Sequence, residues 1–362
     1  MSRLLSLKNA GQSAWLDYID RPLLAGALAR LVAEDGVCGV TSNPAIFQKA
    51  IANGDDYAAV LSELAPHSAD AKALYEAVAI RDIQAAADIL RPVYDSTNAV
   101  DGYVSLEVSP ELARDTDGTI AEARRLWAAV DRPNLMVKVP GTTQGMPAIE
   151  TLISEGINVN VTLLFSREMY RQCAAAYVSG LSKRHARGLA IANVASVASF
   201  FISRIDASVD AELAKRGAHT ATLTGKTAIA NAQLAYQDYL AVVSGDTWQA
   251  LAKAGARAQR LLWASTSTKN PELSDVRYIE ELIGPNTVNT IPPATLDAFR
   301  DHGNGETTLP GDVAAAHAVL SAVAGAGVVL DDVTDALLEE GIKQFADAFV
   351  QLLETVERAR QQ

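Results

Sequence analysis

Three segments in which aliphatic and polar side chains alternate constrain the fold most strongly. They are residues 103–108 (YVSLEV), 134–139 (NLMVKV) and 157–163 (INVNVTL). Successive side chains of a β-strand point to opposite faces, so each segment would have an aliphatic face and a mainly polar face. The polar faces would carry Tyr103, Ser105, Glu107, Asn134, Met136, Lys138, Asn158, Asn160 and Thr162, and the third aliphatic face would include Leu163. This pattern predicts a closed barrel, packed on helices outside and lined by a polar site inside.

The order of patterns along the 362 residues extends this interpretation to eight strands. Further strands are predicted at 14–19, 37–42, within 189–200, and at 260–265 and 287–291. Helical patterns alternate with them at 23–32, 111–130, 147–155, 167–183, 225–244 and 312–323. Eight alternations favour an α/β fold of the (β/α)8 TIM barrel type over a doubly wound sheet. Residues 1–362 are expected to form a single domain, with a helical insertion at about 45–92 and a C-terminal helix at about 333–358.

The charge balance excludes some classes of partner. Lys and Arg number 31 against 43 Asp and Glu, a formal net charge of −12, which argues against a nonspecific nucleic-acid or anionic membrane surface. The most apolar run, 189–202, is shorter than the ~20 residues that span a bilayer, and the N-terminus lacks a secretory cleavage pattern. With only two cysteines, far apart in sequence, a cytoplasmic protein with no membrane or nucleic-acid partner is expected.

Lys138 and Glu107 are the first candidates for catalysis. Burial of Lys138 would disfavour its ammonium form and supply the neutral amine that attacks a carbonyl group. Glu107 could then move protons while a carbinolamine becomes an imine. The simpler interpretation is an internal ion pair between the two side chains. Because lysine is seldom buried without a role, the catalytic interpretation is favoured for both.

Five further polar residues lie in or next to the predicted strands. Asp17, at the first strand, is either an acid/base group or a cap of the next helix. Thr41, Asn43 and Asn160 could satisfy backbone groups, and Thr162 could be an ordinary strand threonine. By the same alternation they would lie on the faces that carry Lys138 and Glu107. Recognition of substrate hydroxyl groups is therefore at least as good an interpretation as a structural role.

Four residues after the sixth and seventh strands suggest an anion site. Loops in this part of such barrels frequently bind phosphate, and Ser199, Arg204, Ser265 and Lys269 supply hydroxyl and cationic donors there. No metal site is predicted, because the five histidines show no ligand spacing with one another or with a cysteine.

Taken together, five segments resemble transaldolase in its longer bacterial form, a member of the class I Schiff-base aldolase superfamily. They are 39–44 (GVTSNP), 104–108 (VSLEV), 134–140 (NLMVKVP), 156–166 (GINVNVTLLFS) and 263–271 (WASTSTKNP). The resemblance extends from about Trp15 to the C-terminal helix. It implies that Lys138 forms the Schiff base, with Glu107 and a water held by Thr162 serving imine formation, and that Asp17 is the acid/base group of carbon–carbon cleavage.

The resemblance also assigns the binding residues. Asn43 and Asn160, with Thr41 close by, match the groups that hold the dihydroxyacetone portion, and Ser199, Arg204 and Ser265 match the phosphate pocket. The sequence departs from many shorter members, which carry a second arginine where Ser267 stands. Lys269 is the predicted substitute, although its ammonium group cannot make the two parallel hydrogen bonds to phosphate that a guanidinium group makes.

The implied activity is that of a transaldolase of the non-oxidative pentose phosphate pathway, without a cofactor or metal. The donors would be sedoheptulose 7-phosphate or fructose 6-phosphate, and the acceptors glyceraldehyde 3-phosphate or erythrose 4-phosphate. A fructose-6-phosphate aldolase and a non-catalytic sugar-phosphate-binding protein remain the alternatives. The chain is expected to be a monomer or a homodimer.

Overall fold

Eight parallel strands close into a barrel in chain order in the computed structural model, which describes residues 2–53 and 55–361. The strands are β1 (Gln12–Leu16), β2 (Gly39–Val40), β3 (Tyr103–Glu107), β4 (Leu135–Pro140), β5 (Val159–Leu164), β6 (Ser196–Phe201), β7 (Arg260–Ala264) and β8 (Thr287–Ile291). Closure comes from β8 pairing with β1, where Ala14 lies opposite Asn289. The predicted TIM barrel is confirmed.

The connecting segments are mainly helical. The α-helices are α1 (Leu4–Asn9), α2 (Leu28–Arg30), α3 (Pro44–Asn53), α4 (Ala58–Leu64), α5 (Ala71–Ser96), α6 (Thr116–Val130), α7 (Gly145–Glu155), α8 (Arg167–Ala186), α9 (Ser203–Ala214), α10 (Thr227–Ser244), α11 (Asp246–Lys253), α12 (Arg277–Glu280), α13 (Pro293–His302), α14 (Val313–Gly325) and α15 (Leu330–Arg360). Wider π-helical turns, Leu23–Ala27 and Leu31–Asp35, flank α2. Short 3-10 turns occur at Asp55–Tyr57, Ala65–His67, Pro110–Arg114 and Ala218–Leu223.

The first strand begins earlier than its sequence pattern predicts. Strand β1 ends at Leu16, so Asp17 is the first residue beyond it and lies at the carboxyl end of the barrel. In TIM barrels the residues at this end form the active site. Helix α13, which follows β8 directly, is not among the helices that the sequence pattern predicts. Pro293 is the first helical residue, where proline is well tolerated.

Two asparagines correct the predicted polar faces. Asn134 precedes β4, and its amide donates to the carbonyl oxygens of Ala87 in α5 and Gly102. Asn158 precedes β5 and donates to Pro133 and Leu135 carbonyls. The backbone oxygens of both asparagines accept from the neighbouring strand, while their side chains satisfy backbone groups at the amino end of the barrel.

Leu163 departs from the alternation for a different reason. It has a left-handed φ of 61°, and the register between β5 and β6 shifts between Val161 and Leu164, as in a β-bulge. The bulge turns the Leu163 side chain toward Gly341 of α15, where an added Cβ would stand 2.9 Å from Leu163 Cδ2. The absence of a side chain at Gly341 therefore lets α15 lie directly against β5.

The predicted insertion contains α3, α4 and α5, and the predicted C-terminal helix is α15. Helix α5 packs on β3 and serves as the crossover between β2 and β3, whereas α3 packs on α15. Helix α15 also contacts α5 and α9, which places it across the carboxyl end of the barrel. In the described part of the chain, no single helix has both the length and the apolar composition of a membrane span. The bent pair α14 and α15 meets both criteria only when taken together.

Candidate active site

Strand register brings the predicted lysine and glutamate together. Glu107 lies opposite Lys138 in the β3–β4 pair, and Lys138 lies opposite Asn160 in the β4–β5 pair. Lys138 Nζ is 3.4 Å from Glu107 Oε2 and donates to the Ser42 carbonyl oxygen at 3.2 Å. Only 6% of the lysine side chain and 2% of the glutamate side chain are exposed. The two charges are therefore a buried pair, which is costly to form and often has a function.

Burial sets the protonation of Glu107. Desolvation raises the pKa of its carboxyl group from the ordinary 4.5 to about 7, although the nearby Lys138 charge acts in the opposite direction. Neither carboxylate oxygen has a hydrogen-bond partner of good geometry among the described residues. A carboxyl group with a pKa near neutrality can both donate and accept a proton, as imine chemistry requires.

This raised pKa makes stability depend on pH. Between pH 4.5 and about 7 the folded protein keeps a proton on Glu107 that the unfolded chain has released, so stability falls as the pH rises through this window. We expect Glu107→Gln to gain ~1–3 kcal/mol in free energy of unfolding relative to wild type between pH 4.5 and pH 8. Urea unfolding at the two pH values measures this gain. The exposed Glu111→Gln is the control, and equal differences for both variants would contradict the prediction.

A chain of hydroxyl groups orients Asp17. Thr41 Oγ1 donates to Asp17 Oδ1 at 2.7 Å and lies 2.5 Å from Thr290 Oγ1. Desolvation raises the pKa of Asp17, opposed by Lys138, the Thr41 hydrogen bond and Arg204. The carboxylate is therefore held in one orientation and is a stronger base than an exposed aspartate. This geometry agrees with an acid/base role, whereas the alternative role of helix cap belongs to Asp20, which accepts from the Leu23 amide at 2.7 Å.

A cavity of about 330 Å³ opens above Lys138 at the carboxyl end of the barrel. Its lining includes nine of the eleven predicted site residues, namely Asp17, Thr41, Asn43, Lys138, Thr162, Ser199, Arg204, Ser265 and Lys269. Its charged lining comprises one carboxylate, Asp17, and four cations, with Lys49 as the fourth. A cationic cavity in a protein of net charge −12 favours a small anionic ligand.

The remaining predicted residues, Glu107 and Asn160, lie beneath the cavity floor. Asn160 donates to Ser105 Oγ at 3.0 Å and accepts from Ser199 Oγ at 2.7 Å. Its amide thus orients Ser199, which does face the cavity. Asn160 itself is not among the residues that line the cavity, and its contact with the dihydroxyacetone portion stays a prediction.

Thr162 and Asn43 differ in how their polar atoms are used. Thr162 Oγ1 is buried without a hydrogen-bond partner in the part of the chain that the structure describes. Burying a hydroxyl oxygen in this way costs free energy unless a water or a ligand group forms a hydrogen bond with it. Asn43 Oδ1 accepts from the Ile46 amide at 3.0 Å and so caps α3, while the same side chain lines the cavity. Asn43 therefore caps α3 and also faces the cavity, and its contact with substrate stays a prediction.

The predicted anion site lies at the ends of β6 and β7. Helix α9 begins at Ser203, and Ser203 Oγ lies 3.0 Å from Ser265 Oγ. Ser265 has a left-handed φ of 56°, a strained conformation typical of functional positions. Arg204 stacks 5.4 Å from the Phe201 ring centre, beside the N-terminus of α9. A helix N-terminus, hydroxyl groups and an arginine together suit a phosphate.

Lys269 lies at the edge of this anion site. It is exposed, lines the cavity and donates to Ser267 Oγ at 2.8 Å. An exposed, flexible ammonium binds phosphate less firmly than a fixed guanidinium.

Several residues at the site were not predicted from the sequence, and four of them bear on its chemistry. Lys49 and Phe345 line the cavity, with Lys138 Nζ 5.8 Å from the Phe345 ring centre. Gln344 Oε1 accepts from Arg204 at 3.0 Å, and Thr290 joins the Asp17 network. Phe345 falls within the predicted C-terminal helix, and nothing in the pattern of that helix shows which end of the barrel it covers. Among the described residues, no group of three or more His, Cys, Asp or Glu side chains could hold a metal ion.

A TIM barrel with a buried lysine–carboxylate pair beneath a cationic cavity is the arrangement of a Schiff-base aldolase. The family model described as transaldolase/fructose-6-phosphate aldolase matches residues 14–356. The chain belongs to this family.

Relatives named transaldolase match along almost the whole chain. Identity is 51% to the protein from Thermobifida fusca, covering 98% of this chain and 97% of the relative. It is 52% to the protein from Thiobacillus denitrificans, covering 95% and 96%. The protein from Nostoc sp. named transaldolase 2 is 48% identical, covering 99% and 97%. These similarities support transaldolase function and confirm the prediction made from the motifs.

Proposed function

We propose that the chain transfers a dihydroxyacetone unit between sugar phosphates through a Schiff base on Lys138. The observation that carries this proposal is the buried Lys138–Glu107 pair at 3.4 Å, placed below a cavity that also holds Asp17. The buried pair provides a nucleophilic amine and its proton donor, while Asp17 provides a separate base. Transfer of a dihydroxyacetone unit between sugar phosphates is consistent with a role in the non-oxidative pentose phosphate pathway.

Imine formation uses the lysine and the glutamate. The neutral Lys138 amine adds to the ketone carbon of the donor and gives a carbinolamine. Glu107 then donates a proton to the departing hydroxyl group, which leaves as water, and a positively charged imine remains on Lys138. The unpartnered Thr162 hydroxyl group is placed to hold this water, since it is buried and lines the cavity.

Carbon–carbon cleavage uses the aspartate. The Asp17 carboxylate removes the proton from the C4 hydroxyl group, the C3–C4 bond breaks, and its electron pair moves into the imine to give an enamine. An aldehyde phosphate leaves, while the three-carbon unit stays on Lys138. The acceptor aldehyde phosphate reverses these steps and receives the unit. The hydroxyl chain from Thr290 through Thr41 keeps Asp17 oriented throughout.

Phosphate binding is assigned to the β6–β7 end of the cavity. Arg204, Ser265 and the N-terminus of α9 supply the donors, and Ser199 is oriented toward the cavity by Asn160. The dihydroxyacetone portion is assigned to the side of Asn43 and Thr41. This arrangement places the ketone carbon over Lys138 and the phosphate at the cationic end.

Trapping of the covalent intermediate tests the proposal. The protein is incubated with fructose 6-phosphate and borohydride, and intact mass and peptide mapping locate the adduct. We expect a reduced three-carbon adduct on Lys138. Adding erythrose 4-phosphate before borohydride is expected to discharge it.

The outcomes separate the alternative functions. Discharge by the acceptor supports a transferase, whereas rapid discharge in water with release of free dihydroxyacetone would indicate a fructose-6-phosphate aldolase. Binding of the sugar phosphate without any adduct in folded protein would indicate a non-catalytic binding protein and overturn the proposal.

The two cations at the phosphate end are expected to contribute unequally. We expect Arg204→Ala to raise the KM for fructose 6-phosphate about 10- to 100-fold, because a partly buried guanidinium makes strong hydrogen bonds to phosphate. Lys269→Ala is expected to raise it only about twofold to fivefold, because Lys269 is exposed. Steady-state kinetics measure both values. Fructose, which lacks the phosphate, is the control donor, and equal losses with fructose would exclude phosphate binding by Arg204.

A further inference from the structure

A second, much smaller chamber lies behind Glu107, on the side away from Lys138. It is bounded by β3, α5 and α6, with Pro44 of α3 and Phe349 of α15, and lined by Glu107, Ser109, Tyr75, Glu122, Lys72 and Glu76 together with apolar side chains. It has about 10 Å³ of space for the centre of a water molecule, which is enough for about one water. Glu107 separates this chamber from the substrate cavity, since the glutamate lines the chamber and Lys138 lines the cavity.

Two buried groups in the chamber lack partners. Ser109 is 4% exposed, and its Oγ has no hydrogen-bond partner within residues 2–53 and 55–361. The Glu107 carboxylate oxygens likewise have no hydrogen-bond partner of good geometry in the described residues, although Oε2 lies 3.4 Å from Lys138 Nζ. Buried polar atoms are rarely left unsatisfied. A chamber lined by both groups has room for one water that could satisfy them.

The far wall of the chamber leads toward the surface. Glu122 Oε1 accepts from the Ser109 amide at 2.5 Å, and its Oε2 accepts from Lys72 Nζ at 2.7 Å. The exposed fraction of the side chain rises from 2% at Glu107 to 10% at Glu122 and 36% at Lys72. The ionisable side chains of Glu107, Glu122 and Lys72 thus become more exposed in this order, from the buried carboxyl group toward solvent.

We propose that a water in this chamber joins Glu107 to Ser109 and Glu122, so that Glu107 exchanges its proton with solvent from the rear while substrate fills the cavity. A proton that leaves Glu107 passes to the water, the water passes a proton to the Glu122 carboxylate, and Glu122 releases one to solvent beside Lys72. Reprotonation runs in the opposite direction, so protons balance at each group. The inference rests on the proton-transfer role proposed for Glu107.

The groups around Glu107 fit this assignment. Lys138 of β4 faces it from the cavity side, with the Asp17 charge beyond. Tyr75 of α5 lines the chamber edge-on to Phe349, and its pKa is raised by burial and by the charges of Glu107, Glu76 and Glu122. The tyrosine therefore remains a neutral donor. With a sugar phosphate above Lys138, the chamber is the route that keeps Glu107 in equilibrium with solvent.

Hydrogen–deuterium exchange of the Glu107 carboxyl group tests the rear path. The full-length protein at about pH 6, where this carboxyl group is mostly protonated, is mixed rapidly with deuterated buffer, and infrared absorption follows its C=O stretch. Loss of the band in Glu107→Gln identifies it. The experiment is run with and without a saturating hexitol 6-phosphate, which carries no carbonyl group and fills the cavity without forming an imine.

Ser109 offers a matched pair of variants, because it precedes Pro110 in extended backbone that suits β-branched residues. Valine and threonine have nearly the same shape, but only threonine keeps the hydroxyl group. With the hexitol phosphate bound, we expect Ser109→Val to slow exchange by about tenfold or more and Ser109→Thr to exchange nearly as wild type does. Without the ligand, all three proteins are expected to exchange rapidly through the open cavity.

Two results would overturn the inference. One is wild-type exchange that stops when the cavity is filled, which would leave the cavity as the route to solvent. The other is unchanged exchange in ligand-bound Ser109→Val or, should that variant not fold, in Glu122→Gln. The trapping of an adduct on Lys138 is measured separately, so failure of the rear path and failure of the proposed function give different results.

Discussion

Replacing Lys138 with Met is expected to reduce turnover to background, a loss on the order of 10⁴- to 10⁶-fold, because the imine is assigned to this buried amine. The other two lysines of the cavity, Lys49 and Lys269, are exposed. Methionine has a similar length and no charge, and it removes the buried ammonium group together with its ion pair to Glu107. The fold is expected to remain, since the aliphatic contacts of the side chain are kept. Initial rates and borohydride trapping measure the effect.

The control for this replacement is Lys253→Met, on an exposed position of α11. It removes one ammonium group far from the cavity lining and is expected to keep both turnover and the adduct. Substantial turnover by a folded Lys138→Met protein would remove the Schiff-base mechanism. Circular dichroism of both variants shows whether they are folded.

Asp17→Asn is expected to block cleavage but not imine formation. The amide keeps the shape of the carboxylate but cannot accept the C4 hydroxyl proton, so kcat is expected to fall about 10²- to 10⁴-fold. The adduct is expected to change as well. Borohydride in the presence of fructose 6-phosphate would then trap the intact six-carbon sugar phosphate on Lys138, whereas wild type carries the three-carbon unit.

Asp20→Asn is the matched control, because Asp20 caps the next helical segment and asparagine caps equally well. It is expected to accumulate the three-carbon adduct at the wild-type rate. The same result for Asp17→Asn would show that another group is the base. Intact mass distinguishes the two adducts directly.

Strand periodicity was sufficient to predict the centre of the site. Lys138 and Glu107 lie within paired strands, where alternation of faces is strict, and the structure places them opposite each other. It did not predict that the side chains of Asn134 and Asn158 satisfy backbone carbonyl groups, because alternation gives the face of a side chain and not its hydrogen-bond partners. It also failed at Leu163, since a bulge is a local change of φ that hydrophobic patterning does not encode.

The outer half of the site depends on tertiary packing. The stripe of α15 predicts a buried helical face, but the position of Phe345 over Lys138 follows from the contact of Gly341 with Leu163 and from packing on α3. Lys49 likewise reaches the cavity because α3 begins directly after Asn43. Neither arrangement can be derived from a periodic pattern, because it is set by contacts between segments distant in sequence.

The placement of Phe345 over Lys138 has a consequence for biosynthesis. Asp17 and Phe345 meet in one cavity although they are far apart in the chain, so a ribosome has released Asp17 long before Phe345 is made. A nascent barrel without α15 would lack the Phe345 ring that lies over the Lys138 amine. The contact of Gly341 with Leu163 then forms late in synthesis, since it needs α15 to lie against β5. Limited proteolysis within α15 is expected to remove this cover from the amine again.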